Sequence, residues 1–272
     1  MKIFVDSANL RDIESALQRG FASGVTTNPS ILSKEERRDF HTHMRDIIVL
    51  LQRYNASIPL SVELFTTDPQ QMLAQAERFL HDFGDYANLV IKVPIGWDEL
   101  RVIHAIRQQG GQVNCTCCMS YNQAIIAAQA GANYVSLFWG RIRDTGYDAA
   151  AIVRQVRQTF REWDCPSQII VGSIRHLMDV NEAHQAGADI VTVPPQFLPL
   201  LCAHPKTTEA VAQFMRDFEA WAAPDELAPV PARAARLRTT APASANGKGP
   251  HATPARGART RPAGALARRA PK

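Results

Sequence analysis

Several things are missing from this 272-residue chain, and each absence narrows what it can be. No apolar run reaches the roughly 20 residues a membrane-spanning helix needs, so no membrane partner is expected. The start, Met1-Lys2-Ile-Phe-Val, reads as a strand and lacks the charged, apolar and small-residue regions of a secretion signal. Cys115, Cys117, Cys118, Cys165 and Cys202 are too few, and odd in number, for a disulfide framework. A cytoplasmic protein with reduced thiols is the expectation. No G-x-G-x-x-G follows the first strand, which removes support for a dinucleotide site. None of the eight histidines falls on a predicted strand, and none is assigned chemistry.

What is present is unevenly distributed. From Pro224 to Lys272 there are 10 Lys+Arg against 2 Asp+Glu, a balance of +8, which leaves 20 against 24, or −4, for residues 1–223. The basic character therefore belongs to the tail. Eight of the 17 prolines lie there too, with few large apolar residues, so residues 224–272 are expected to be disordered. No aromatic residues interleave the tail's arginines, and no nucleic-acid partner is expected.

Residues 1–223 alternate strand and helix. Apolar, β-branched runs lie at Lys2-Ile-Phe-Val-Asp6, Gly24-Val-Thr-Thr27, Pro59 to Phe65, Asn88 to Pro94, Gln112 to Cys118, Tyr134 to Trp139, Gln168 to Ser173 and Asp189 to Pro194. Between them, helical periodicity marks segments that include Phe40 to Tyr54, Pro69 to Phe83, Asp98 to Gln109, Tyr147 to Trp163 and Ile174 to Ala186. Eight such units in this length predict an α/β fold, a (β/α)₈ TIM barrel, rather than an open doubly wound sheet. An extra helix from about Pro205 to Ala222 carries Val211, Phe214, Phe218 and Trp221 at helical spacing, a face predicted to be buried on the barrel or on a neighbour.

Within this frame one lysine is out of place. Asn88-Leu-Val-Ile-Lys-Val-Pro94 reads as a buried strand, yet Lys92 is at its centre. With both faces covered, desolvation favours the neutral amine, a nucleophile for carbonyl carbon. A lysine that reaches water or pairs with a carboxylate is the alternative. Polar residues near the C-terminal ends of all eight strands weigh toward chemistry: Asp6, Thr26, Asn28, Glu63, Lys92, Asn114, Thr116, Ser136, Arg141, Ser173, Arg175 and Thr192. Schiff-base chemistry needs an amine, a proton relay and a base; Asp6 and Glu63 can divide the proton work, with Thr116 holding a water. Arg141 and Ser173-x-Arg175 lie where barrels build phosphate sites, which points to a sugar phosphate. In the fifth strand, alternation would send Cys115 and Cys117 to the face opposite Cys118, which argues against a metal cluster there.

The segments Phe4-Val-Asp-Ser, Gly24-Val-Thr-Thr-Asn-Pro-Ser30, Ile91-Lys-Val-Pro94, Gly140-Arg-Ile142 and Gly172-Ser-Ile-Arg175 resemble the transaldolase family, which includes the fructose-6-phosphate aldolases, over roughly Met1 to Ala222. The resemblance implies a class I mechanism with no metal and no organic cofactor. It makes Lys92 the Schiff-base residue, Asp6 the group that moves the C4-hydroxyl proton, and Glu63 with Thr116 the pair that positions the catalytic water. Asn28, Asn114 and Ser136, beside Thr26, would hold the dihydroxyacetone unit; Arg141, Ser173 and Arg175 would hold the phosphate. Glu63, Asn114, Ser136 and Phe138 resemble the transaldolase branch, whose role in carbohydrate metabolism is the pentose phosphate pathway. Phe138 lacks the phenol that could help water release free dihydroxyacetone, so transfer is favoured over cleavage. The short core resembles the aldolase-sized members, which are ring-shaped homo-oligomers; a pentamer or decamer is implied. Cleavage with release of dihydroxyacetone, and transfer to a pentose phosphate in place of a tetrose phosphate, remain open at this stage. Arg143 departs from the family pattern just past Gly140-Arg-Ile.

Overall fold

The computed structural model describes residues 1–222, so the tail expected to be disordered lies outside the described residues. Eight parallel strands close into a barrel in chain order: β1 (Lys2–Asp6), β2 (Ala22–Thr26), β3 (Leu60–Glu63), β4 (Leu89–Pro94), β5 (Gln112–Cys118), β6 (Tyr134–Phe138), β7 (Gln168–Gly172) and β8 (Ile190–Val193), with β8 pairing back to β1. The helices between them are α1 (Leu10–Gln18), α2 (Pro29–Leu32), α3 (Phe40–Asn55), α4 (Pro69–Asp82), α5 (Glu99–Gln108), α6 (Tyr121–Gln129), α7 (Trp139–Asp144), α8 (Ala149–Glu162) and α9 (Leu177–Gln185). A final helix, α10, covers Pro205–Trp221.

Local sequence explains where the helices begin. Asn9, Asn28, Asp39, Asp68, Ser120 and Asp148 each accept backbone N–H bonds at a helix start, satisfying donors that have no partner inside the helix. Pro29 and Pro69 follow two of these caps, where a missing N–H costs nothing. The helix expected from Ile174 starts only at Leu177. Ser173 is left-handed (φ 60°), and the Asp179 carboxylate takes the N–H groups of Arg175 and His176, each at 2.9 Å, holding that stretch out of the helix. The short α7 was not predicted, because it follows β6 without a turn residue.

Two apolar layers form. The outer one packs strand residues such as Val62, Ile91, Val93 and Val171 against the helices; Trp139 is buried in it, as expected of barrel–helix packing. The inner one is separate and small: Phe4, Ile170 and Ile190, with Tyr134 against them, fill the floor of the barrel. Gly24 makes room for it, since a Cβ there would lie 2.4 Å from the Phe4 ring. Burying Phe4 is worth about 1.5–3 kcal/mol. Above this apolar floor the inward residues turn polar, and that change of chemistry along the barrel axis is what makes a site at one end.

Val211, Phe214, Phe218 and Trp221 of α10 are 52%, 68%, 43% and 78% exposed in the single chain. One expectation fails, in β5. Cys117 is left-handed (φ 61°) and the β5–β6 register shifts between Cys115 and Cys118. This bulge breaks the alternation: Cys118 returns to the face of Cys115, with the two sulfurs 3.9 Å apart, and Cys117 turns to the barrel mouth. Both buried sulfurs are free thiols.

Candidate active site

Register sets the upper polar layer. Asp6 is level with Thr26 across β1–β2, and Glu63 with Lys92 across β3–β4. These four, with Asn28, Thr116, Ser136, Phe138, Arg141, Ser173 and Thr192, line one open cavity of about 370 Å³ at the C-terminal end of the barrel. Lys34 from the loop after α2, Cys117 and Met119 also line it; the sequence reading gave these three no place in the site. Lys34 was overlooked because it follows a helical turn rather than a strand.

The Lys92 side chain is 5% exposed. Its Nζ is 2.8 Å from Glu63 Oε2 and donates to the Thr27 carbonyl at 2.9 Å. The burial inferred from the apolar strand is present, but the amine is not solitary. A carboxylate and a carbonyl replace the water it has lost, so desolvation does not act alone.

Asp6 is half-buried, at the end of β1 where the strand meets the cavity. Burial pushes its carboxyl above the usual carboxylate range; the Lys92 charge and a hydrogen bond from Thr26 (Oγ1 to Oδ1, 2.6 Å) pull the other way, and Glu63 adds to the rise. Such a carboxylate is a better base than an aspartate in water, and once protonated a readier donor. Thr116 Oγ1 is buried and makes no hydrogen bond within the described protein. Cys117 has its thiol raised, by burial first and then by the Glu63 charge, so it is a poor nucleophile despite its place in the wall.

Aligned with Lys92 across β4–β5, Asn114 donates to Ser61 Oγ at 3.3 Å and accepts from Ser136 Oγ at 2.7 Å. Fully buried, it supports the cavity without lining it. On the opposite rim, the Arg141 guanidinium lies over the Phe138 ring, Cζ to centroid 5.7 Å. Arg175, expected beside it, does not line the cavity: its guanidinium makes a two-pronged ion pair with Asp144, one contact at 2.5 Å. The anomalous Arg143 reaches the almost fully buried Asp179 at 2.8 Å, the same carboxylate that holds the Arg175 backbone. It therefore braces the β7–α9 loop instead of facing the cavity.

Comparison with known proteins gives one consistent outcome. Residues 3–230 match the family described as Transaldolase/Fructose-6-phosphate aldolase. Among curated proteins, a "Probable transaldolase" of Carboxydothermus hydrogenoformans is 37% identical over 222 residues, covering 81% of this chain and 99% of that protein. A "Probable transaldolase" of Dehalococcoides mccartyi is 36% identical over 220 residues, 80% of this chain and 98% of its own length. One from Thermoplasma acidophilum is 38% identical over 221 residues, 80% and 96% respectively.

Proposed function

Because this chain belongs to the transaldolase/fructose-6-phosphate aldolase family, we propose that it moves a three-carbon dihydroxyacetone unit from a ketose phosphate to an aldose phosphate through a Schiff base on Lys92. The observation that carries this reading is the buried Lys92 Nζ within 2.8 Å of one cavity carboxylate, with a second, Asp6, in the same cavity.

In this reading Glu63 takes the ammonium proton, and the freed amine adds to the ketose C2 carbonyl. The carbinolamine loses water with proton delivery from Glu63, and Thr116, whose hydroxyl has no partner among the described residues, holds that water. Asp6 removes the C4-hydroxyl proton; the C3–C4 bond breaks, its electrons entering the imine as an enamine, and the aldose phosphate departs. An acceptor aldehyde then takes the enamine carbon, Asp6 returns its proton to the new alkoxide, and water frees the product from Lys92. The raised Asp6 carboxyl suits a group that must both take and give one proton. Asn28 and Ser136 contact the bound three-carbon unit, with Thr26 beside them and Asn114 bracing Ser136. Arg141 and Ser173 hold the phosphate, and Arg175 joins them by leaving Asp144.

Phe138 in the wall favours transfer over release, since it offers no proton donor that would bring water to the enamine. Fructose 6-phosphate incubated with and without an aldose phosphate separates the two reactions, because only release turns over without an acceptor. A panel of tetrose and pentose phosphates read by mass spectrometry identifies the acceptor. Borohydride reduction in the presence of fructose 6-phosphate tests the whole mechanism: the reduced adduct is expected on Lys92, and its absence ends the proposal. The same reading has the chain in the cytoplasm as a homo-oligomer. The exposed Val211, Phe214, Phe218 and Trp221 support assembly, which light scattering measures.

A further inference from the structure

Thr192, on β8, lines the cavity but has no part in the steps above. Its neighbours are specific. Thr26 Oγ1 is 2.6 Å from Asp6 Oδ1 and 2.5 Å from Thr192 Oγ1. Thr26 and Thr192 are only 2% and 5% exposed. A hydroxyl carries one proton, and an ionised carboxylate can only accept. With Asp6 ionised, the proton between Thr26 and Asp6 must therefore come from Thr26. The proton between the two threonines must then come from Thr192, and the direction of both bonds is fixed without seeing a hydrogen.

We propose that Thr192 is a positioning residue for Asp6: by donating to Thr26 it commits the single hydroxyl proton of Thr26 to Asp6 Oδ1. This rests on the role of Asp6 proposed above. When Asp6 takes a proton during C–C cleavage the chain inverts, Asp6 donating to Thr26 and Thr26 to Thr192, with the same heavy-atom positions. Both protonation states are thus served without rearrangement, which is what preorganisation requires. A second contact fixes the rotamer. The Thr192 methyl occupies the space over Gly172, where a Cβ would come within 3.2 Å of it, so the hydroxyl is turned toward Thr26. The register places the pair, since Thr192 aligns with Phe4 on β1 and Thr26 with Asp6.

The charged groups facing Asp6 are Lys92 on β4, Glu63 on β3 and Lys34 after α2. None changes when Thr192 is replaced, so a shift in Asp6 reads the hydroxyl chain. Thr192→Val keeps the shape and removes the donor; Thr192→Ser keeps the donor. The measurement is the titration midpoint of Asp6, followed by carboxyl-carbon NMR in protein labelled at aspartate and assigned by the resonance missing in Asp6→Asn. A bond to the charged form is stronger than one to the neutral form, and a donor polarised by its own donor is stronger still. Thr192→Val is therefore expected to raise the midpoint by about half to one unit, or about three- to tenfold less carboxylate at a pH below it. Thr192→Ser is expected to restore it, and the acid limb of the kcat–pH profile to move with the midpoint while KM stays within about twofold. An unchanged midpoint in Thr192→Val, or no recovery in Thr192→Ser, overturns the inference. Should Thr192→Val not fold, Thr192→Ala is read the same way. The NMR midpoint needs no turnover, so a wild type without ketose chemistry would sink the proposed reaction and leave this measurement to decide Thr192 by itself.

Discussion

Replacing Lys92 with methionine removes the ammonium and leaves an unbranched apolar side chain one atom shorter. Glu63, whose side chain is 12% exposed, then loses the cation at 2.8 Å. Stranding one partner of a buried pair costs about 3–5 kcal/mol. A limit applies here, because the abandoned carboxylate can take up a proton. At pH 7.3 that costs an ordinary glutamate, with pKa about 4.3, about 4 kcal/mol, and at pH 5 only about 1 kcal/mol. The expected loss of stability is thus about 3–4 kcal/mol at pH 7.3, a fall in Tm of about 6–15 °C for a unit of this size, shrinking to about 2–4 °C at pH 5. The sign follows from linkage: an acid whose folded pKa has been raised destabilises most above that pKa and not at all below its unfolded one. Thermal unfolding of wild type and Lys92→Met at both pH values checks this. A penalty that is the same at pH 5 and 7.3, or below about 1 kcal/mol at pH 7.3, would refute the reading of Lys92 and Glu63 as a buried pair.

Phe138→Tyr places a phenol in the cavity wall and is expected to raise acceptor-free release of dihydroxyacetone at least about tenfold while slowing transfer, as measured by coupled assay with and without aldose phosphate. Gly140→Ala drives a Cβ to 2.5 Å from the Ser173 carbonyl and 2.7 Å from Arg175 Nε. Overpacking of about 1–3 kcal/mol at that contact is expected to raise KM for phosphorylated substrates about tenfold and leave KM for free dihydroxyacetone unchanged; equal effects on both would disprove it. In timed alkylation read by peptide mass spectrometry, exposed Cys202 is expected to react first and Cys117, its thiol raised by burial, at least about tenfold more slowly. Cys118, raised by its contact with Cys115 and by burial, should react only on unfolding.

The barrel was legible because each strand announces itself by composition and the strand–helix rhythm admits few closures. Lys92 was legible for the same reason, a charge inside an apolar strand. Its pairing with Glu63 was not, since alternation gives the facing side but not the level; that comes from the β3–β4 register. Cys117 defeated the alternation argument because a non-glycine residue in the left-handed region carries no mark in the sequence. The pairing of Arg175 with Asp144, 31 positions away, was not legible, because nothing in the sequence brings the two together before the barrel closes. Thr192 stood among the polar strand ends with no role, and its neighbour Thr26 is apparent only once β8 closes against β1. The α10 stripe was visible as periodicity, but what covers such a stripe is not written in its own residues.

The kink at Cys117 bears on how this cavity can be altered. Along a regular strand an inward residue alternates with neighbours embedded in the helix layer, so reshaping the wall disturbs its support. Here two consecutive residues, Thr116 and Cys117, meet the same open space, and the second has turned away from the packed layer that holds Cys115 and Cys118. Position 117 can therefore vary among small unbranched residues of different polarity while the scaffold stays as it is; β-branched residues would be strained at its dihedral, and glycine would occupy it with less strain. A substrate-range library confined to that one codon would sample new cavity shapes at little risk to folding.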